Sequence, residues 1–171
     1  MIKANDSEKP ARWLCLLGFF YLFGIGVDMN YQIAFTIFNN AVEGDDDGYA
    51  KLFIGHCYQC GFGIAKDTKL QESWLKKSAE NRNPRGQQDL AQFYMYFDKS
   101  KNRFWLAFYW FREAALAGNE SSQQILAAFF EFGDACNKDI FTAIKLNRRC
   151  IKRNDLAPYA MFGLNRIFSP L

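Results

Sequence analysis

Residues 48–83 read GYAKLFIGHCYQCGFGIAKDTKLQESWLKKSAENRN. Within this stretch Ala50, Ile54, Gly55 and Tyr58 recur at three- and four-residue spacing, which is one face of a helix with a 3.6-residue period. Gly61-Phe62-Gly63 interrupts that face, because glycine enters left-handed backbone angles at little steric cost. Asp67 then stands just before a second periodic run through Trp74, Ser78 and Ala79, where its carboxylate can cap free amides. The stretch predicts a helix, a glycine turn and a second helix.

The same pattern recurs along the chain. Gly18, Gly55, Ala91, Ala127 and Gly163 are separated by 37, 36, 36 and 36 residues. Three residues on from the small column stand Tyr21, Tyr58, Tyr94 and Phe130, and twelve on stand Asn30, Asp67, Arg103 and Asp139. Ala34, Gln71, Ala107 and Ala143 follow, then the bulky Ile37, Trp74, Trp110 and Leu146. A period of this length predicts stacked helix pairs, since neither helix of a pair can bury its apolar stripe alone.

These residues resemble the Sel1-like repeats, relatives of the tetratricopeptide class. The second repeat carries the likeness in Ala50, Gly55, Tyr58, Gly61, Gly63, Ile64, Lys66, Asp67 and Trp74, and the third in Ala107, Trp110, Ala114, Ala115 and Gly118. The third departs at Phe97 and Lys99, where the pattern has glycines, so its inter-helix turn must differ. The resemblance, over about residues 11 to 167, implies an all-α, right-handed α/α solenoid of about four helix pairs. Its repeats would lie near 11–47, 48–83, 84–119 and 120–155, after a short N-terminal segment, 1–10. A capping half repeat, 156–171, would close it through Ala157 to Phe168. It also implies a non-catalytic protein-binding scaffold whose consecutive first helices present side chains to a partner.

Half of the 171 residues are apolar and 18% are aromatic, enough for a sizeable core in one domain. The net charge of +3 is unevenly placed. Residues 1–47 hold 3 basic and 7 acidic groups, and residues 48–171 hold 18 and 11, an asymmetry that can orient a charged partner. Five cysteines, Cys15, Cys57, Cys60, Cys136 and Cys150, are an odd count without paired spacing, which favours a reducing, cytoplasmic setting. The uncharged run Trp13–Val27 is short for a membrane span. Asp6 and Glu8 dilute the positive flank that a leader would need, and the run sits in repeat register. No membrane association is expected.

Candidate chemistry dissolves into the repeat. His56, Cys57 and Cys60 are metal-ligand types on one helix, but a closed zinc site needs a fourth ligand, and Cys57 and Cys60 occupy columns held elsewhere by Phe or Tyr. Asp45, Asp46 and Asp47 between Gly44 and Gly48 read as a polar turn, without the spacing of a calcium loop. Gly24-Ile25-Gly26 and Gly61-Phe62-Gly63 lack the third glycine of a phosphate loop. No catalytic residue, metal or cofactor is expected. Lys145, Arg148, Arg149, Lys152 and Arg153 share one side of the last full helix, and a sequence pI near 8.6 is too weak a footprint for nucleic acid. That face reads as solvated, with an acidic protein partner as the second reading.

The first helix is the anomaly. Reckoned at 100° per residue, its packing column falls near Leu17, Gly18 and Tyr21, leaving Cys15, Phe19, Leu22 and Phe23 on the far side. Later repeats place polar residues there, whereas a terminal repeat that stays apolar all round implies cover by residues 1–10, a second copy of the chain or a partner. The expected partner-facing set is Phe19, Leu22, Phe23, His56, Gln59, Gln92, Met95, Tyr96 and Glu131. Within the scaffold class, the leading expectation is an immunity protein that covers and neutralises a partner toxin. The alternative is an exported bacterial effector or complex-assembly adaptor.

Overall fold

A computed structural model describes residues 10–152, with side chains as far as Arg149. The capping half repeat and Arg153 lie outside the described residues, as do residues 1–9. The described chain is all-α, with α1 (Pro10–Phe23), α2 (Tyr31–Ala41), α3 (Tyr49–Cys60), α4 (Thr68–Glu80), α5 (Pro84–Tyr96), α6 (Arg103–Leu116), α7 (Glu120–Phe132) and α8 (Ile140–Lys152). Its described residues form two compact halves that divide after Gly86. In the first half α1 packs on α2, α3 on α4, and both α1 and α2 on α3; in the second, α7 packs on α6 and on α8.

The small-residue column has a steric cause. A Cβ on Gly18 would lie 2.5 Å from a ring carbon of Phe38, and one on Gly55 would lie 3.0 Å from Leu75 Cδ2. Each glycine is a hole in the first helix of a pair, filled by a knob from the second. The two knobs, Phe38 and Leu75, stand in a column that continues with Phe111 and Asn147, all four buried. In the first half, Leu22, Ala34, Phe38, Ile54 and Cys57 form one cluster, and Ala11, Cys15, Ala41 and Ala50 another. Burying a side chain such as Phe38 contributes about 1.5–3 kcal/mol.

Side-chain caps start the second helices. Asn30 accepts from Ile33 N (3.0 Å), and Asp67 from Lys69 N (2.8 Å) and Leu70 N (2.9 Å). Asp139 accepts from Thr142 N (3.1 Å) and Oγ1 (2.6 Å). Such caps stabilise a helix by about 1 kcal/mol each. Gly61 ends α3 in the left-handed region at φ 80°, its amide donating to Cys57 O. The third repeat solves its turn differently, as Phe97 and Lys99 require. Its loop, 97–102, is one residue shorter than 24–30, 61–67 or 133–139, and none of its residues has positive φ. Asp98 organises this loop, accepting from Ser100 N (2.9 Å) and Oγ (2.5 Å), bonds that hold its carboxyl below the usual carboxylate range. Arg103, in the capping column, becomes the first residue of α6 instead.

Consecutive repeats of the first half are joined by a polar seam. The end of α4 and the residues after it grip the backbone of residues 45–48. Ser78 Oγ donates to Gly48 O (2.7 Å), Asn81 Nδ2 to Asp45 O (2.9 Å) and Asp46 O (3.1 Å), and Asn83 Nδ2 to Asp47 O (2.7 Å). Asn83 Oδ1 meanwhile accepts from Arg85 N (3.0 Å) and Gly86 N (2.9 Å) at the start of α5. Asn119, 36 residues on, repeats the device in the second half, accepting from Ser122 N (2.9 Å) and donating to Gln88 Oε1 (2.9 Å). These bonds satisfy carbonyls and amides that the helices leave open, at about 1 kcal/mol each.

Candidate protein-binding surface on the first helix pairs

Helix α1 has two packing neighbours, and that decides which residues face outward. Gly18 admits Phe38 of α2, while Cys15 and Leu22 are buried between α2 and α3, Cys15 clustering with Ala41 and Ala50 and Leu22 with Ala34, Phe38, Ile54 and Cys57. The expectation that Cys15 and Leu22 lie on a free face is therefore corrected: Leu22 is only 4% exposed. Leu17, expected to pack, is exposed instead, with Trp13, Leu16 and Phe23. The angular reckoning allowed for one neighbour, whereas the next repeat's first helix claims a second side. An apolar outer face on α1 remains, rotated from its expected position, with Trp13 62% exposed.

Beside this face lies a pocket of about 320 Å³. Its apolar wall comes from Ala11, Cys15, Leu16 and Phe19 of α1 and from Tyr49 and Phe53 of α3, and Arg12 and Gly44–Asp47 form its rim. The rim is built, not frayed. Asp45 is buried, accepting from Lys51 N (3.1 Å) and Nζ (3.3 Å), and Lys51 Nζ also donates to Asp45 O (2.7 Å). Asp47 pairs with the Arg12 guanidinium.

Phe53 is the hub that the sequence reading missed. Phe19 lies 6.0 Å from it, with Phe23 4.5 Å from Phe19, and His56 sits edge-on to Phe53 at 6.3 Å. So Phe19, Phe23 and His56 are brought together, Phe19 and His56 half-buried and Phe23 exposed, while Gln59 is exposed one turn along. In the second half Gln92 and Met95 are half-buried on α5 and Tyr96 is exposed. Glu131 of α7 is 8% exposed, so it cannot offer a free carboxylate to a partner; its helix face turns into the half's interior with Ala127. Lys145, Arg148 and Arg149 are exposed on α8.

The thiols are quiet. Burial pushes Cys15 up to about 12 from its ordinary 9.0, the Asp45 and Asp47 carboxylates adding to the rise and Lys51 opposing it. Burial does the same to Cys57, again to about 12, with Cys60 contributing. Because the thiolate and not the thiol reacts, iodoacetamide at about pH 8 is expected to alkylate exposed Cys60 in the native protein and spare Cys15 and Cys57 until denaturant is added. Peptide mass spectrometry checks this, and equal labelling of all three would contradict the burial. A raised native pKa stabilises the fold fully below pH 9, and this contribution is lost as pH rises through about 12.

Among the described residues no group of three or more His, Cys, Asp and Glu side chains is placed to hold a metal ion. Nor, among them, is any helix long and apolar enough to cross a membrane.

The family model for the Sel1 repeat matches residues 14–46, 48–83 and 104–119. Two solved structures superpose with a TM-score of 0.78. A Sel1 repeat protein from Oxalobacter formigenes is 22% identical, over 91% of this chain and 63% of that one. A protective antigen present in uropathogenic Escherichia coli strains, displaying an SLR fold, is 23% identical, over 95% of this chain and 34% of that one. The chain thus spans less than two thirds of either, and at such identity the likeness speaks for the fold. No curated protein matches it in sequence. Matched three times by the repeat model and built of helices in the corresponding pairs, the chain belongs to the Sel1-repeat family.

Proposed function

We propose that the chain is a non-catalytic scaffold that binds another protein through the outer face of α1 and the pocket beside it. The observation that carries this is the contiguous exposure of Trp13, Leu16, Leu17 and Phe23 next to an apolar pocket. Large apolar side chains exposed together cost solubility unless a partner covers them. An apolar wall of this kind suits a partner that offers an apolar side chain. In its most concrete form the partner is a toxin whose working surface is covered, which makes the chain an immunity protein. An exported effector or an assembly adaptor would use the same face on a different target, and a second copy of the chain would use it to form a homodimer.

The test is affinity purification of the tagged protein from its native cells, in parallel with a Leu16→Gln/Phe23→Ser variant. Both positions are exposed, so stability should stay within about 0.5 kcal/mol per change. A stoichiometric partner that the variant loses is the expected result. If that partner arrests growth when expressed alone and the intact chain restores it, the immunity reading holds; a harmless partner would favour the adaptor. Equal recovery by both proteins would remove α1 from the interface.

A further inference from the structure

Helix α6 carries a second surface, in the other compact half from α1. Trp105, Tyr109, Arg112 and Leu116 follow one another at i, i+4, i+7 and i+11, a single stripe roughly 16 Å long at about 1.5 Å per residue. All four are exposed, Trp105 to 57% and Leu116 to 71%. The corresponding residues of α2 are Gln32, Thr36 and Asn39, with Glu43 just past its end, and those of α4 are Lys69, Ser73, Lys76 and Glu80, every one of them exposed. The fold is thus satisfied with polar residues at these positions in the first two pairs, and in α8 only the first position is apolar, Phe141 at 87% exposed. Nothing in repeat packing calls for the tryptophan, tyrosine and leucine of α6.

We propose that this stripe docks an acidic amphipathic helix of a partner protein. Trp, Tyr and Arg are the residues that dominate binding energy at protein interfaces. The rings are already ordered: Trp105 and Tyr109 stack with centroids 6.0 Å apart and planes 16° apart, and Trp110 braces Tyr109 edge-on at 5.0 Å. That order lowers the entropy lost on binding, and three turns of apolar contact match a helix laid alongside. Charge selects its sign. Arg112 lies within the stripe, its contact with Glu113 an exposed 3.3 Å pair that a partner's carboxylate can replace. In α8 of the same half, the register continues with Lys145 and Arg148, both exposed, and no carboxylate occupies it on either helix. Leu116, an exposed aliphatic side chain in line with the rings, offers a base nothing to stack on, which favours a helix over a nucleic acid.

The test uses the full chain and fluorescein-labelled 18-residue amphipathic helical peptides with leucines on one face and either glutamates or lysines on the other. Trp105→Gln/Tyr109→Thr installs the residues that α2 carries at these positions, so its fold is protected, and its melting curve checks that. Anisotropy should show saturable binding of the glutamate peptide alone, weakened by salt and by about tenfold or more in the variant. Leu16→Gln, on α1, should leave it unchanged, so this proposal and the α1 interface fail separately. Equal binding of the lysine peptide, or a variant that binds as the parent does, overturns it. So does binding of oligouridylate or of phosphatidylcholine/phosphatidylglycerol vesicles in place of the peptide, or self-association by sedimentation that the variant abolishes.

Discussion

Gly63→Ala is expected to destabilise the protein by about 3 kcal/mol or more, lowering Tm by roughly 6–12 °C. Two costs combine. Gly63 sits at φ +72°, where a side chain costs about 1–2 kcal/mol. A Cβ there would also lie 2.7 Å from Tyr31 C and 2.9 Å from Gln32 Cα, and nearer still to Tyr31 O. These are backbone atoms in the first turn of α2, held in place as Tyr31 stacks on Phe62 at 4.5 Å, so overpacking adds about 1–3 kcal/mol. Gly26 supplies the control: it has nearly the same φ, +71°, with nothing within 4 Å of its Cβ position. Gly26→Ala should show the backbone cost alone. Urea denaturation of both variants checks this, and equal losses at the two sites would mean that the inter-helix turn of the second repeat does not rest on α2.

Phe38→Ala is expected to cost about 3–5 kcal/mol, the range for emptying a buried aromatic site. Its ring is fully buried, stacked on Phe53 at 4.8 Å with planes 15° apart, and seated over Gly18. The pairing of knob and hole makes a sharper test. Gly18→Ala alone forces a methyl against the ring, and Phe38→Leu alone leaves space; together they recreate a small residue facing leucine, close to the Gly55–Leu75 contact of the next repeat. The double variant should recover about 0.5–3 kcal/mol relative to the sum of the single changes. Strict additivity in denaturation midpoints would show that Phe38 owes its place to other neighbours.

The helical pairs were legible because the knob-and-hole contact recurs with the chain and leaves a small residue at each return. The altered turn of the third repeat was legible too, since Phe97 and Lys99 cannot take the glycine conformations used elsewhere. The surface was less so. Leu22 and Cys15 turned inward because α1 meets α3 as well as α2, and a helix wheel drawn for one helix holds no information on how many neighbours it has. Phe53 and Tyr49 reach the α1 pocket from 30 or more residues away, a proximity that only stacking creates. The α6 stripe lay in the sequence as a departure from its columns, invisible while the columns were read for what repeats share.

The seam at residues 45–48 bears on how such a chain can change over generations. Ser78, Asn81 and Asn83 hold that turn by its carbonyl oxygens, groups that every amino acid brings, and only at Gly48, where a Cβ would lie 2.9 Å from Ser78 O, does the grip itself dictate the residue. The outward positions of α2 and α4 are therefore free to drift while the joint between repeats stays intact. A lineage can rewrite its recognition chemistry one exposed position at a time, and a new target requires no new architecture.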